Sequence, residues 1–321
     1  MTARWVVTGG VGFIGYHLCR ALALRGDDVV IIDDFCDAPY PRAYKRRNQR
    51  DLEAELGNRI RVVEACVTDR KALSPHFDGA HGVVHLAGLA GVRPSFRDPA
   101  RYAQVNVEGT VTTLEVAREA SVKRYLFASS SSIYGNSTPL PAREDASAVC
   151  PESPYAATKR GAELVASAVA RVGGDLPITA LRFFTVYGPR QRPEMAITLF
   201  MRAVLARQPI TVFGDGSMRR DFTYVDDIVA GVLAAMEKAP AGFRAYNLGS
   251  GSPVRLDALV AMIFDVAGAT VPIVRSAVPP GDVDATFADL SRAQAELGYA
   301  PRVTLRDGLA RVHASCVAEA L

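Results

Sequence analysis

The sequence predicts an α/β fold: a doubly wound parallel sheet followed by a smaller C-terminal substrate-binding lobe. Three observations carry this. Short β-branched runs alternate with longer amphipathic segments, a glycine-rich turn joins the first such run to the first helical segment, and the alternation weakens after about Thr185. The strand-like runs are "RWVVTGG", "DVVIID", "RIRVVEA", "GVVHLAG", "KRYLFASS" and "LPITALRFF"; helices are expected over "FIGYHLCRALALRG", Asp98 to Ala120 and Pro154 to Arg171. The Pro- and Gly-containing stretches "NSTPLPAREDASAVCPESP" and "VYGPRQRPEM" read as loops lining a cleft. Residues 1–184 are expected to form a nucleotide-binding domain and 185–321 mainly a second lobe, with some chain crossing back.

Composition narrows the function. With 321 residues, 49% of them hydrophobic and 22% charged, the chain can bury a large core. A net charge of +3 with dispersed basic residues gives no footprint for nucleic acid or an anionic membrane. Five widely spaced cysteines (Cys19, Cys36, Cys66, Cys150, Cys316) without a CxxC pair argue against a disulfide framework and against a structural metal. A cytoplasmic setting is expected, since the N-terminus enters a strand-like run at once and no long apolar span follows.

The turn "TGGVGFIG" sits between a strand and a helix, the context in which Gly9, Gly12 and Gly15 permit a tight turn, approach of backbone amides to a pyrophosphate, and close helix packing. A Rossmann-type domain is the reading. Asp33 ends the next strand eighteen residues beyond Gly15, where a carboxylate bonds the adenosine ribose and repels a 2′-phosphate, so NAD is expected rather than NADP. Further on, Tyr155 and Lys159 are four apart in a helical segment and share a face. A phenol with a reference pKa of about 10 is a poor base at neutral pH, and a neighbouring ammonium brings it nearer the working range. Serines 129 to 132 stand at a strand end just before that helix.

In order, "TGGVGFIG", "HLAG", "SSSSIYG", "YAATK", "LRFFTVYGPRQRP" and "RRDFTYVDD" resemble the extended short-chain dehydrogenase/reductase family over nearly the whole chain, and within it most the UDP-glucuronate 4-epimerases. The resemblance implies an isomerase with bound NAD, a UDP-sugar in the second lobe and a homodimer. It implies cofactor contacts from Gly9, Gly12, Phe13, Ile14, Gly15, Asp33, Val67, Leu86, Tyr155 and Lys159. It assigns the active hydroxyl, four residues before the tyrosine of "IYG", to Ser130, and substrate contacts to Arg93, Ser131, Ser132, Thr185, Arg192, Phe213, Arg220 and Asp282. Nucleotide-sugar 4,6-dehydratases carry Asp and Glu where this chain has Ser131 and Ser132, and UDP-glucuronate decarboxylases a Glu at the latter, so both chemistries are disfavoured. A UDP-glucose 4-epimerase is the alternative; a non-catalytic dinucleotide sensor would have no reason to keep Ser130, Tyr155 and Lys159. Two departures from the family pattern are Cys66, where relatives place an Asp against adenine, and Pro279, where many carry an arginine for which Arg275 is the candidate substitute. His85 reads as a packed strand-end residue, and Asp226 and Asp227 as caps of a following helix.

Overall fold

In a computed structural model, which describes residues 2–146, 150–172 and 176–320, seven parallel strands form the main sheet in the order β10-β6-β5-β4-β1-β2-β3. These are β1 (Arg4–Thr8), β2 (Asp28–Asp33), β3 (Ile60–Glu64), β4 (Gly82–His85), β5 (Arg124–Ser130), β6 (Ile178–Phe183) and β10 (Phe243–Leu248). Apart from the edge strand β3, they are buried almost end to end. This is why they read as continuous Val/Ile/Leu runs rather than as alternating ones. Residues 147–149 of the expected cleft loop lie outside the described residues.

Strand order reverses between β1 and β4, so the turns leaving their carboxyl ends open a crevice, the usual ligand position in such sheets. The turn after β1 is "TGGVGFIG", leading into the helix Phe13–Leu24; the turn after β4 is "LAG". β5 ends at Ser130, and the helix Pro154–Val172 packs beside it. The helix expected over 98–120 runs as Pro99–Ala103, a π turn at Gln104–Glu108, and Gly109–Glu119. π turns mark functional sites, and this one carries Asn106, whose side-chain amide bonds both the N–H and the carbonyl of Leu89 (2.8 and 3.0 Å).

The rest of the chain builds two small sheets. β7 (Thr185–Tyr187) pairs with β9 (Arg219–Tyr224), which also pairs with β11 (Pro253–Arg255); β8 (Ile210–Phe213) pairs with β12 (Ile273–Ser276). β10 returns to the main sheet beside β6. The helix Val225–Lys238 begins where sequence placed it, but Asp226 and Asp227 do not cap it. Asp227 accepts the backbone N–H groups of Arg302 and Val303, and Asp226 pairs with Arg311. Among the described residues no helix is long and apolar enough to cross a membrane.

One buried ion pair joins these parts. Glu163, one turn beyond Lys159, accepts two bonds from Arg182 of β6 (2.9 and 2.8 Å), one from Ser129 (2.6 Å) and one from Arg160 (3.0 Å). Arg182 also donates to Tyr134, whose hydroxyl donates to Asn247 of β10. Breaking a buried pair from one side costs about 3–5 kcal/mol, because the other charge is left unpaired, whereas replacing both partners with apolar groups is often close to neutral. Glu163→Leu is therefore expected to destabilise the protein by about 3–5 kcal/mol, and adding Arg182→Leu to recover more than half of that loss. Urea melts of the two variants check this; equal midpoints would remove the pair from its pinning role.

Candidate active site

The glycine turn closes on itself. Gly9 has φ +69°, and a Cβ there would lie 2.6 Å from the Ala87 nitrogen; one on Gly15 would lie 2.2 Å from the Gly9 carbonyl oxygen. Those two positions are glycine for backbone reasons. A Cβ on Gly12 would lie 3.1 Å from the Gly9 carbonyl oxygen, a tighter contact than most side chains make, at the N-terminus of helix 13–24, where Phe13 and Ile14 begin the first turn. Free amides at a helix start suit a pyrophosphate.

Asp33, 5% exposed at the end of β2, accepts the Phe35 N–H (3.0 Å) and pairs with Lys45 (3.3 Å), both through Oδ1. Its other oxygen is left for a ribose diol. Lys45 also lies 3.7 Å from Asp34, so two carboxylates face one ammonium and the local charge still opposes a 2′-phosphate. Val67 packs with Leu89, Tyr102 and Val105, against which Ala87 and Tyr155 also lie, and Leu86 leaves the end of β4. Cys66 contacts Thr68 (3.2 Å). These residues fit a dinucleotide: a phosphate cradle, a buried carboxylate for the ribose and an apolar wall.

His85 is the packed residue the sequence suggested. Its ring joins Thr8 (2.7 Å) to Thr110 (3.2 Å); since the Thr110 hydroxyl donates to the Asn106 carbonyl, it is left to accept, and a neutral Nε2–H imidazole satisfies the chain. Burial, then the Lys159 charge, holds its pKa down to about 3, so it stays neutral.

Ser130, Tyr155 and Lys159 converge beyond it. The Ser130 hydroxyl lies 3.1 Å from that of Ser132 and bonds Tyr155; Ser131 is buried beside them. Burial pushes the Tyr155 phenol up, while the Ser130 bond and the charge on Arg192 pull it down. Arg192 thus acts on Tyr155 as a cation, while Lys159 turns its ammonium to the Ala128 carbonyl (2.9 Å). Burial brings Lys159 down to about 8, with Glu163 opposing. Arg192, on the loop after β7, has one nitrogen buried without an aligned hydrogen-bond acceptor, 3.2 Å from Glu194. Thr185 opens β7, next to the end of β6.

The remaining predicted contacts form a second group. The Arg93 guanidinium stacks 4.3 Å from the Phe213 ring centroid and lies 3.5 Å from Asp282. Three of the expected substrate contacts, Arg93, Phe213 and Asp282, thus lie together. Arg220 donates to the carbonyls of Arg219 and Asp284. Arg275, the candidate substitute for the arginine absent at Pro279, donates to the Gly214 carbonyl (3.3 Å), one residue past Phe213. Sequence reasoning missed Glu163, Asn106, Lys45 and Glu194. Only Glu163 carried a signal, standing four residues after Lys159 on the same helix face.

A dinucleotide turn at the switch point of a doubly wound sheet, with Ser, Tyr and Lys converging beside it, defines a nicotinamide-dependent enzyme of the short-chain dehydrogenase/reductase type. The chain belongs to the NAD dependent epimerase/dehydratase family, whose pattern matches residues 5–249. It is 40% identical over 327 residues to UDP-glucuronate 4-epimerase 5 of Arabidopsis thaliana, covering 95% of this chain and 73% of that one. It is 36% identical over 311 residues to UDP-glucuronate 4-epimerase of Thermodesulfobacterium geofontis, covering 96% and 94%. Among solved structures, the UDP-glucuronic acid 4-epimerase of Bacillus cereus in complex with UDP-glucuronic acid and NAD matches with TM-score 0.90 at 34% identity, covering 98% and 99%.

Lys159 gives a test of these electrostatics. Its folded pKa lies below the unfolded value of 10.5, so the unfolded chain holds one more proton between about 8 and 10.5 and stability rises with pH across that window. Below it the buried ammonium is a burden. Lys159→Met is expected to stabilise the cofactor-free protein by roughly 1–3 kcal/mol at pH 7, the lost Ala128 bond offsetting part of the gain, with the advantage fading towards pH 10. Denaturant melts at both pH values measure it; a variant less stable than wild type at pH 7 would contradict the assignment.

Proposed function

We propose that this chain is an isomerase that epimerises UDP-glucuronate to UDP-galacturonate at C4. The observation that carries the reading is Arg192. Its buried nitrogen is 3.2 Å from Glu194 but not aligned on it for a hydrogen bond, lies on the loop after Thr185, and belongs to the group whose charge acts on Tyr155. A planar guanidinium beside the reacting tyrosine suits a planar carboxylate. Ser131 and Ser132 supply hydroxyls where dehydration across C5 and C6 would require an acid and a base. Similarity along the full chain to proteins named UDP-glucuronate 4-epimerase supports the same substrate.

Bound NAD supplies a reversible hydride acceptor at C4. The chain's own groups do the rest: Tyr155 takes the O4 proton and later returns it, Ser130 bonds O4, and Lys159 holds the nicotinamide ribose. A 4-keto uronic acid is a β-keto acid, which loses CO2 when its carboxylate bond aligns with the carbonyl π system. Arg192, with Thr185, Ser131 and Ser132, holds the carboxylate out of that alignment. Phe213, Arg220 and Asp282 bind the UDP moiety, and Arg93 orders Phe213 and Asp282. In the same reading, residues 1–184 are the NAD-binding domain and 185–321 mainly the nucleotide-sugar lobe. The protein is a cytoplasmic homodimer, with the exposed Phe96 and Leu164 as candidate contacts.

Purified protein incubated separately with UDP-glucuronate and UDP-glucose is expected to convert the former to UDP-galacturonate with clear preference. Arg192→Ala should reduce that preference about ten- to a hundredfold, since only the uronate loses a charge-assisted pair worth about 1.5–3 kcal/mol. It should also release a decarboxylated UDP-4-keto-pentose. Equal losses on both sugars without that product would move the UDP-glucose reading ahead.

A further inference from the structure

The loop that presents Arg192 is fastened to the cofactor side of the fold by contacts that the reaction itself does not use. Arg190 has φ +66°, a left-handed backbone that an arginine adopts only where its surroundings hold it. Its guanidinium donates to Asn48 Oδ1 (2.7 Å) and to Asp51 (2.7 Å) on helix Arg42–Leu56, and lies 4.0 Å from the Tyr16 ring centroid on helix 13–24. The preceding Pro189 carbonyl meets His17 Nε2 (3.0 Å). Asn48 is 5% exposed, and its side-chain N–H donates to the carbonyl of Val11, inside the glycine turn (2.9 Å). One buried amide thus touches the dinucleotide turn with one end and the Arg192 loop with the other.

We propose that Asn48 and Arg190 are positioning residues that couple the two halves of the site: the amide sets the glycine turn, the guanidinium sets the loop, and each is held correctly only when the other is. An asparagine suits this role because it offers one donor and one acceptor in a fixed plane. Arginine suits the other end, since its fork engages Asn48 and Asp51 at once while its face covers Tyr16. The ordering of the loop for Arg192 rests on the uronate reading given above. The effect on the dinucleotide turn does not.

The test compares wild type, Asn48→Leu, Arg190→Leu and the double variant, each first shown folded by circular dichroism. The readouts are the NAD(H) retained per chain through gel filtration, the affinity for added NAD, and kcat and KM with UDP-glucuronate. Arg190→Leu is the informative single change, because the hydrogen bonds of Arg190 run to Asn48 and Asp51 and not to the glycine turn. It is expected to weaken NAD binding about three- to tenfold and to raise KM more than it lowers kcat, and the double variant to be no worse than Asn48→Leu within about twofold, the non-additivity of coupled sites. Arg20→Ala, which removes an exposed pair with Glu55 between the same two helices, is expected to change none of these. Wild-type NAD affinity in Arg190→Leu, or additive losses in the double variant, would overturn the coupling. If UDP-glucuronate is not turned over even by wild type, the proposed function fails while the NAD measurements still decide the coupling.

Discussion

The buried Glu163–Arg182 pair is the constraint on which the rest of the structure depends. Glu163 belongs to the helix carrying Tyr155 and Lys159, Arg182 to β6, and their respective partners Ser129 and Tyr134 to the segment that carries Ser130. Two charges withdrawn from water demand near-ideal partners, and here every oxygen of the carboxylate is used. Sliding the helix by one residue would break three donors at once, so the register that brings Tyr155 to Ser130 has little freedom. The pair also reaches Asn247 through Tyr134, tying β10, which returns from the far part of the chain, to the same centre.

Around that centre the charges are arranged unequally. His85 is kept neutral and Lys159 is left close to losing its proton, both through burial. Arg192 keeps a buried nitrogen without an aligned acceptor. Its charge is paired with Glu194 at 3.2 Å, but the donor is not aligned on that carboxylate, and a buried donor so poorly satisfied suits a ligand that completes it. This is the physical reason to read Arg192 as the reader of an anionic substituent rather than as a solvated loop residue.

What sequence revealed divides along local and non-local lines. The glycine turn, the strand ends and the Tyr-x-x-x-Lys face are short-range patterns whose geometry follows from a few neighbouring residues, and they lie where the pattern put them. His85 was read correctly because a histidine at the end of an apolar strand has few other fates. The failures are of another kind. Asp226 and Asp227 satisfy a capping pattern, yet their partners are more than seventy residues away at Arg302, Val303 and Arg311. The π turn at 104–108 has no local signature, and the Arg93–Phe213–Asp282 cluster brings together three separate segments. Asn48 carries no motif, and Arg190 stands in "LRFFTVYGPRQRP" without a role that the pattern reveals; their meaning appears only when helix 42–56 lies between two loops of one site.

C4 of a UDP-uronate is oxidised and reduced within one site, Tyr155 moving the proton on O4 and the carboxylate being held out of alignment. UDP-glucuronate deuterated at C4 tests it most directly. The product, examined by NMR and mass spectrometry, is expected to be UDP-galacturonate with the deuterium still at C4, since hydrogen that leaves as hydride and returns as hydride never meets solvent. Loss of the label to water, or a labelled pentose accompanied by CO2, would contradict the account.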